Sequence, residues 1–179
     1  MPADLSRRRA HQNMNTKTEV QPLISDPERE LIEFFVNAAQ TIGLPKSYGE
    51  IYGLFFASAY PLALDEVIHK LQISKGSASQ GIRFLKSINA LNTAYQPGDR
   101  RDHYTAETSL RRIADGFIKE KMIPQLKGGT ERLKQIQLDS ANSHLKERIS
   151  SIDSWASKAE LLFPTVCKFL AATGKSRVI

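Results

Sequence analysis

One segment of the sequence combines positive charge with neutral hydrogen-bonding groups and contains no acidic residue. Its members are Lys75, Gly76, Ser77, Ser79, Gln80, Arg83 and Lys86. An ordinary exposed surface mixes charges of both signs. Cations, hydroxyls and amides without carboxylates instead suit a groove lined by phosphates and base edges. We therefore predict that this segment contacts the major groove of double-stranded DNA.

A helix over residues 75–88 is expected to present these side chains on one face. The apolar positions that repeat at helical spacing are Ala78, Ile82, Leu85 and Ile88. Ser74 is the predicted N-cap. A short helix over residues 62–71 precedes it, joined by the tight connection Gln72-Ile73, and such a pair is a helix-turn-helix. Ser77, Ser79, Gln80 and Arg83 are expected to reach base edges, and Lys75 and Lys86 to meet phosphates.

A hairpin with a charged tip follows the second helix. Residues 91–96 and 103–106 have strand-like composition, and residues 97–102 between them are rich in turn formers and charge. Arg100 and Arg101 at the tip are predicted to enter the adjacent minor groove, where negative potential is concentrated. The alternative is a solvated tip in which Asp99 and Asp102 neutralise both arginines.

Two helices and a basic arm are predicted before this unit. Residues 1–25 lack periodic apolar residues, and their arginines, residues 7–9, either touch phosphates or belong to a solvated tail. Asp26-Pro27 predicts a helix entry. The inward positions of this helix are Ile32, Phe35, Val36 and Ala39, and Gly43 ends it. A second helix is expected after Pro45, capped at Ser47 and stopped by Tyr60-Pro61.

The C-terminal third is predicted to be helical and to form a dimer interface. Helical spacing covers residues 109–126, Gly128-Gly129 is expected to break it, and a new helix to start at Thr130. After the polar stretch 139–143, a long helix is expected to end or kink at Pro164. Its apolar stripe contains Leu145, Ile149, Ile152, Trp155 and Leu162. This stripe pairs with a second copy or folds back onto its own domain.

Together these elements predict a mainly α fold with a small β-hairpin wing. The expected architecture is a winged helix-turn-helix core with N- and C-terminal dimerisation helices. Its parts are a flexible basic arm (1–25), a DNA-binding domain (26–108; helix-turn-helix about 63–89, wing about 91–106) and a C-terminal helical dimerisation region (109–179).

Composition narrows the class of protein. The 179 residues are 41% hydrophobic, enough for a core, and carry a net charge of +6 with a pI of about 9.5, which attracts polyanions. No apolar run is long enough for a membrane span or an export signal. The single Cys167 fits a reducing cytoplasm. The four histidines lack metal-ligand spacing, and no nucleophile motif occurs, so neither metal, cofactor nor enzymatic activity is expected.

Three strings carry a resemblance to a known family. Residues 64–67 (LDEV), 71–79 (LQISKGSAS) and 97–100 (PGDR) resemble the GbsR-type branch of the MarR superfamily of transcription regulators, over roughly residues 26–163. The resemblance implies a winged-helix core, terminal helices at a dimer interface, and a recognition helix beginning at Lys75. Two residues depart from the pattern. Phe84 stands at a usually polar position, expected to pack on the wing or a partner, and Gly81 lies inside the recognition helix.

Some members of that family respond to small molecules, which draws attention to one aromatic-rich region. Tyr48, Tyr52, Phe55 and Phe56 either pack in the core or form a pocket for an effector such as a quaternary ammonium compound. The expected function is a sequence-specific homodimeric repressor that reads a pseudo-palindromic operator. The alternative is a winged-helix module that docks on proteins without sequence-specific DNA binding.

Overall fold

The computed structural model describes residues 23–136 and 142–173 of the chain. Its elements, in order, are α1 (Asp26–Thr41), α2 (Lys46–Ala57), β1 (Leu62–Ala63), α3 (Leu64–Leu71), α4 (Lys75–Ser87), β2 (Leu91–Ala94), β3 (His103–Ala106), α5 (Leu110–Phe117), a π-helical segment (Ile118–Met122), α6 (Ile123–Lys134) and α7 (Ser143–Thr173). The strands form an antiparallel sheet in the order β1-β3-β2.

The predicted helix-turn-helix and wing are both present. Gln72 adopts a left-handed conformation (φ 54°) that ends α3, and the hydroxyl of Ser74 accepts a hydrogen bond from the Ser77 amide at 3.1 Å to cap α4.

The predicted helix over residues 62–71 is wrong at its start. Leu62 and Ala63 instead form β1 and pair with Tyr104 and His103 of β3. A strand of two residues is too short to show the alternation that identifies strands.

A single apolar core lies beneath α4. The predicted stripe of α4 and the predicted inward positions of α1 are buried, and Ile51, Leu54 and Val67 are fully enclosed among them. The core therefore holds α4 by one face and leaves its polar face outward.

The entries of the first two helices differ in detail from prediction. Ser25, not Asp26, is the N-cap of α1: its amide donates to Glu28 Oε2 at 2.7 Å in a capping box. Ile24, immediately before this cap, packs against the core. The arginines at 7–9 lie outside the described residues. Ser47 does not cap α2, because α2 already begins at Lys46 after Pro45.

Glycines allow α1 and α2 to cross in close contact. A Cβ atom at Gly49 would lie 2.6 Å from the Phe35 carbonyl oxygen, and one at Gly53 would lie 2.7 Å from Ile32 Cα. Backbone atoms cannot rotate away as a flexible side chain can. The two glycines, one helical turn apart, therefore set the distance between these helices.

We expect Gly49→Ala to lower the free energy of unfolding by about 1–3 kcal/mol, because the added methyl group forces the two backbones apart. Gly128→Ala is the matched control. Its Cβ would meet nothing within 4 Å, so the better helix propensity of alanine should raise stability by about 1 kcal/mol. Urea unfolding of both variants measures the difference. Equal effects at the two positions would show that the helices are not in tight contact at Gly49.

The C-terminal helices are longer than the sequence predicts. Gly128-Gly129 does not break the chain, because α6 runs through both residues to Lys134. Nor does Pro164 end the last helix, since α7 continues through it to Thr173. Buried residues on either side of the proline, Ala159 and Cys167, hold α7 in place. Of the predicted polar interruption, residues 139–141 lie outside the described residues, and α7 begins at Ser143.

Candidate nucleic-acid interface

The outer face of α4 is exposed along its whole length. Lys75, Gly76, Gln80, Arg83 and Lys86 are exposed, and Ser79 is half-buried. Gly76, Gln80 and Arg83 follow one another at spacings of four and three residues and form the outermost line of the helix. Ser79, Arg83 and Lys86 form a second line at the same spacing. No acidic side chain lies on either line.

The start of α4 offers an anion site, and Ser77 takes part in building it. Ser77 donates its amide to Ser74 and its hydroxyl lies 3.0 Å from Ser74 Oγ. Its hydroxyl is thus engaged in the cap, which makes Ser77 a weaker candidate for base contact than Gln80 or Arg83. The remaining free amides of the first turn and the helix dipole favour a phosphate there.

A cleft of about 290 Å³ separates α4 from the sheet. Its walls are formed by Leu64, Ser79, Ile82, Arg83, Lys86 and Tyr104. The Lys86 ammonium lies 5.1 Å from the centroid of the Tyr104 ring, a cation–π distance. The sequence interpretation missed Tyr104. Its position in the predicted second strand of the wing, which leads back towards the helix-turn-helix, could have pointed to it.

The two arginines of the wing are in different environments. Arg101 donates to Asp65 Oδ2 of α3 at 2.6 Å and, through Nε, to Asp99 Oδ2 at 2.9 Å. These hydrogen bonds raise the pKa of Arg101, and the same contacts lower the pKa of Asp99 to about 2. Arg100 is exposed and, within the described part of the chain, forms no side-chain hydrogen bond or ion pair. The predicted neutralisation thus applies to Arg101 only.

The partners in the wing also differ from those expected. Asp65 and Asp99, rather than Asp99 and Asp102, neutralise Arg101. Burial, together with the nearby carboxylate of Asp102, raises the pKa of the Tyr104 phenol. His103 is buried at the base of the wing, with Nδ1 2.9 Å from the Arg101 carbonyl oxygen. Arg101 therefore ties the wing to α3, and Arg100 is left as the free cation of the tip.

Two of the four aromatic residues predicted to form an effector pocket line the same apolar cleft. Tyr48 and Tyr52 border an apolar cleft of about 510 Å³ between α1, α2, α4, α5 and the π-helical segment. Phe55 is buried in the core, and Phe56 packs against Phe35 with ring centroids 5.0 Å apart. Burial raises the pKa of Tyr52, whose hydroxyl donates to the Glu107 carbonyl at 2.8 Å.

The structure explains both departures from the family pattern. Phe84 stacks on Tyr48 of α2 rather than on the wing, with ring centroids 4.6 Å apart. A Cβ at Gly81 would lie 2.3 Å from Ile51 Cδ1, so the glycine lets α4 lie close to α2. Both residues therefore pack α4 against α2, and α2 also borders the apolar cleft.

Helix α7 carries two neighbouring apolar stripes. Its small residues Ala156, Ala159 and Cys167 are buried in the protomer, and α7 packs against α5 and α6. The predicted dimer residues lie mostly outside this contact. Their exposed fractions are 37% for Leu145, 47% for Ile152, 60% for Trp155 and 58% for Leu162, and Ile149 is half-buried. Val166 and Phe169 extend the exposed stripe. Folding back onto the protomer thus buries the small residues and leaves the large ones exposed.

No helix of residues 23–136 and 142–173 is long and apolar enough to cross a membrane, and these residues contain no cluster of three metal-ligating side chains. The helix-turn-helix, the paired wing and the exposed α4 face define a winged helix-turn-helix protein.

Known proteins with similar sequences are bacterial regulators. The chain is 28% identical over 85 residues to the HTH-type transcriptional repressor OpcR of Bacillus subtilis (strain 168), covering 48% of this chain and 46% of that protein. It is 24% identical over 117 residues to the HTH-type transcriptional repressor GbsR of the same strain, covering 65% and 64%. The matches thus span about half to two thirds of these relatives. They confirm the resemblance to GbsR-type regulators.

A solved structure shares the fold. A crystal structure described as a transcriptional regulator superposes with a TM-score of 0.60 at 14% identity, covering 82% of this chain and 99% of that one. Together with the element order, this match confirms the predicted fold class. No protein-family model matches the chain.

Proposed function

We propose that this chain is a sequence-specific transcription regulator that binds double-stranded DNA as a homodimer and represses genes in the cytoplasm. The observation that carries the proposal is the exposed, acid-free outer face of α4, set beside a wing whose tip holds the unpaired Arg100. The similarity to proteins named as transcriptional repressors supports the same function.

Each line of α4 is assigned a different type of contact. Gln80 and Arg83 lie on the outermost line and are long enough to form bidentate hydrogen bonds with adenine and guanine edges. Gly76, on the same line, allows the helix to approach the groove closely, and Ser79 adds a hydroxyl. Lys75 and Lys86, at the two ends of the helix, contact phosphates and set its register on the duplex.

The wing arginines are proposed to divide two tasks between them. Arg100 enters the minor groove, because no carboxylate of the described residues competes for it. Arg101 keeps its bonds to Asp65 and Asp99 and fixes the direction of the tip.

Arg100→Ala is therefore expected to weaken DNA binding several-fold and to reduce the slope of log K against log salt by about one. Asp65→Asn is the matched control, because it removes the carboxylate that holds Arg101 and leaves both wing arginines in the sequence. It should weaken binding without lowering the slope, because only the position of the tip is disturbed. Fluorescence anisotropy at several salt concentrations separates the two effects. If Arg101→Ala but not Arg100→Ala lowers the slope, the assignment is reversed.

The homodimer is proposed from the exposed stripe of α7. From Ile152 to Phe169 the stripe extends about 25 Å along the helix axis. An uncovered apolar surface of this length is costly in water, and a second α7 related by a two-fold axis covers it with the same residues. Two recognition helices would then face two half-sites of a pseudo-palindrome.

An effector is proposed for the apolar cleft bordered by Tyr48 and Tyr52. Leu85, on the inner face of α4, and Ile88, its C-cap, also line it. A bound molecule would therefore contact the recognition helix on the side opposite its proposed DNA-binding face. The apolar lining favours an uncharged, largely apolar compound over a quaternary ammonium ion. Release of bound DNA on adding such compounds, and not on adding choline, is the expected result; release by choline alone would favour the aromatic cage.

The function is tested by selecting DNA. Fragments of the source genome retained by the purified protein are sequenced, and a labelled retained duplex is titrated at physiological salt with unlabelled competitor. We expect binding to survive a large excess of unrelated DNA. Retention of random fragments with equal affinity would contradict sequence-specific regulation. Failure to retain DNA at all would favour the protein-docking alternative.

A further inference from the structure

The ring of Tyr104 is fixed from beneath by the core. Tyr104 pairs with Leu62 on one side of the sheet and with Thr93 on the other. Its ring meets that of Phe55 edge to face at 6.4 Å between centroids, and Phe55 is only 2% exposed. Tyr104 is thus held by its backbone pairing on both sides and by the Phe55 contact, and its ring faces Lys86 of α4.

Lys86 is the cation that this face receives. Its ammonium lies 5.1 Å from the Tyr104 ring centroid, and within the described part of the chain no carboxylate is paired with it. A free lysine side chain loses rotamer entropy when it is fixed. A lysine already held against a ring loses less on binding DNA, and a π-face, unlike a carboxylate, leaves its full charge available to a phosphate.

The cleft beside this pair has the chemistry of a sugar–phosphate site. Lys86 supplies a cation and Ser79 a hydroxyl at the rim of the cleft, Arg83 borders it on the side of the base-reading line, and Leu64 and Ile82 supply an apolar floor. A phosphate fits the cationic rim, and the carbon atoms of a deoxyribose fit the floor. A base edge, with its polar groups, would leave the floor unmatched.

We propose that Tyr104 is a positioning residue that holds Lys86 at the mouth of this cleft, and that the cleft receives one phosphate of the DNA backbone together with its deoxyribose. This inference rests on the proposed function, because it specifies how the same surface meets duplex DNA. The inference gives β3 a part in DNA binding, whereas the sequence predicted DNA contacts only for α4 and the wing tip.

The test is a double-mutant cycle on a random-sequence duplex, because a backbone contact does not depend on base sequence. Tyr104→Leu should weaken binding about threefold while the salt slope stays the same, since Lys86 still reaches the phosphate. Lys86→Gln should lower the slope by about one. In the Lys86→Gln background, Tyr104→Leu should cost nothing further. Tyr104→Phe keeps the ring and should behave like the unmodified protein.

Two further measurements make the test decisive. The ring current should shift the Lys86 ε-methylene protons upfield in the unmodified protein and in Tyr104→Phe, but not in Tyr104→Leu; this signal needs no DNA and reports folding as well. Duplexes carrying one methylphosphonate each should show one phosphate at which Lys86→Gln no longer weakens binding. If Tyr104→Leu is equally harmful with and without Lys86, the positioning role is wrong. If the unmodified protein binds no duplex, the proposed function fails, whereas the proton shift still tests the Lys86–Tyr104 contact.

Discussion

The double variant Trp155→Glu/Leu162→Glu is expected to be a folded monomer that binds its operator at least about 100-fold more weakly than the unmodified protein. Both side chains are more than half exposed in the protomer, so their replacement removes little intramolecular packing. In the proposed dimer they are buried, and four carboxylates would meet across the two-fold axis without partners. The loss of DNA affinity follows because two half-sites no longer act as one binding unit, a linkage worth about 10²–10⁴ in affinity.

Leu161→Glu is the matched control for this variant. Leu161 is an apolar residue of the same helix with an exposed fraction of 76%, but it lies about 100° around the helix axis from Leu162, in line with Ser157 and Thr165 one turn away on either side. It should leave the oligomeric state unchanged. Light scattering and anisotropy on one set of samples compare both variants. A double variant that stays dimeric would place the interface elsewhere, and a monomeric unmodified protein would remove the dimer proposal.

The parts of the fold that could be predicted are those set by local pattern. The stripe of α4 at helical spacing, the cap at Ser74 and the turn-rich tip of the wing each depend on residues close together in the chain. The predicted break at Gly128-Gly129 and the predicted end of the last helix at Pro164 were wrong for the converse reason. A glycine weakens a helix by about 1 kcal/mol, and packing between α6, α7 and α5 outweighs such a local penalty.

The parts of the site that could not be predicted depend on distant pairs. Helical spacing alone predicts which residues lie on the outer face of α4. The environment of Arg101 does not, because Asp65 lies 36 positions earlier in the chain and is brought to the wing by the fold. The sequence predicts one role for both adjacent arginines, whereas the structure places them in two different environments. The cleft between α4 and β3 is likewise visible only once helix and strand are placed side by side.

Removing the base-reading side chains should abolish discrimination between sequences more than it reduces affinity for DNA as such. Gln80→Ala and Arg83→Ala are each expected to weaken binding to the retained operator by about 1–3 kcal/mol, the value of one good bidentate base contact. On a random duplex Gln80→Ala should have almost no effect, because glutamine adds no charge. Both side chains are exposed on the outermost line of α4, so the folded state should be unaffected.

Two variants that each remove one positive charge, Lys86→Ala and Arg132→Ala, are compared with these base-contact variants in the same anisotropy experiment. Lys86→Ala should weaken operator and random duplex alike and reduce the salt slope by about one, as a phosphate contact does. Arg132→Ala removes the same charge from α6, in the C-terminal region, and should change neither quantity by more than long-range electrostatics allows. The decisive quantity is the ratio of operator affinity to random-duplex affinity. If Gln80→Ala/Arg83→Ala leaves that ratio unchanged, the outer line of α4 does not read bases, and the acid-free face serves only to attract the polyanion.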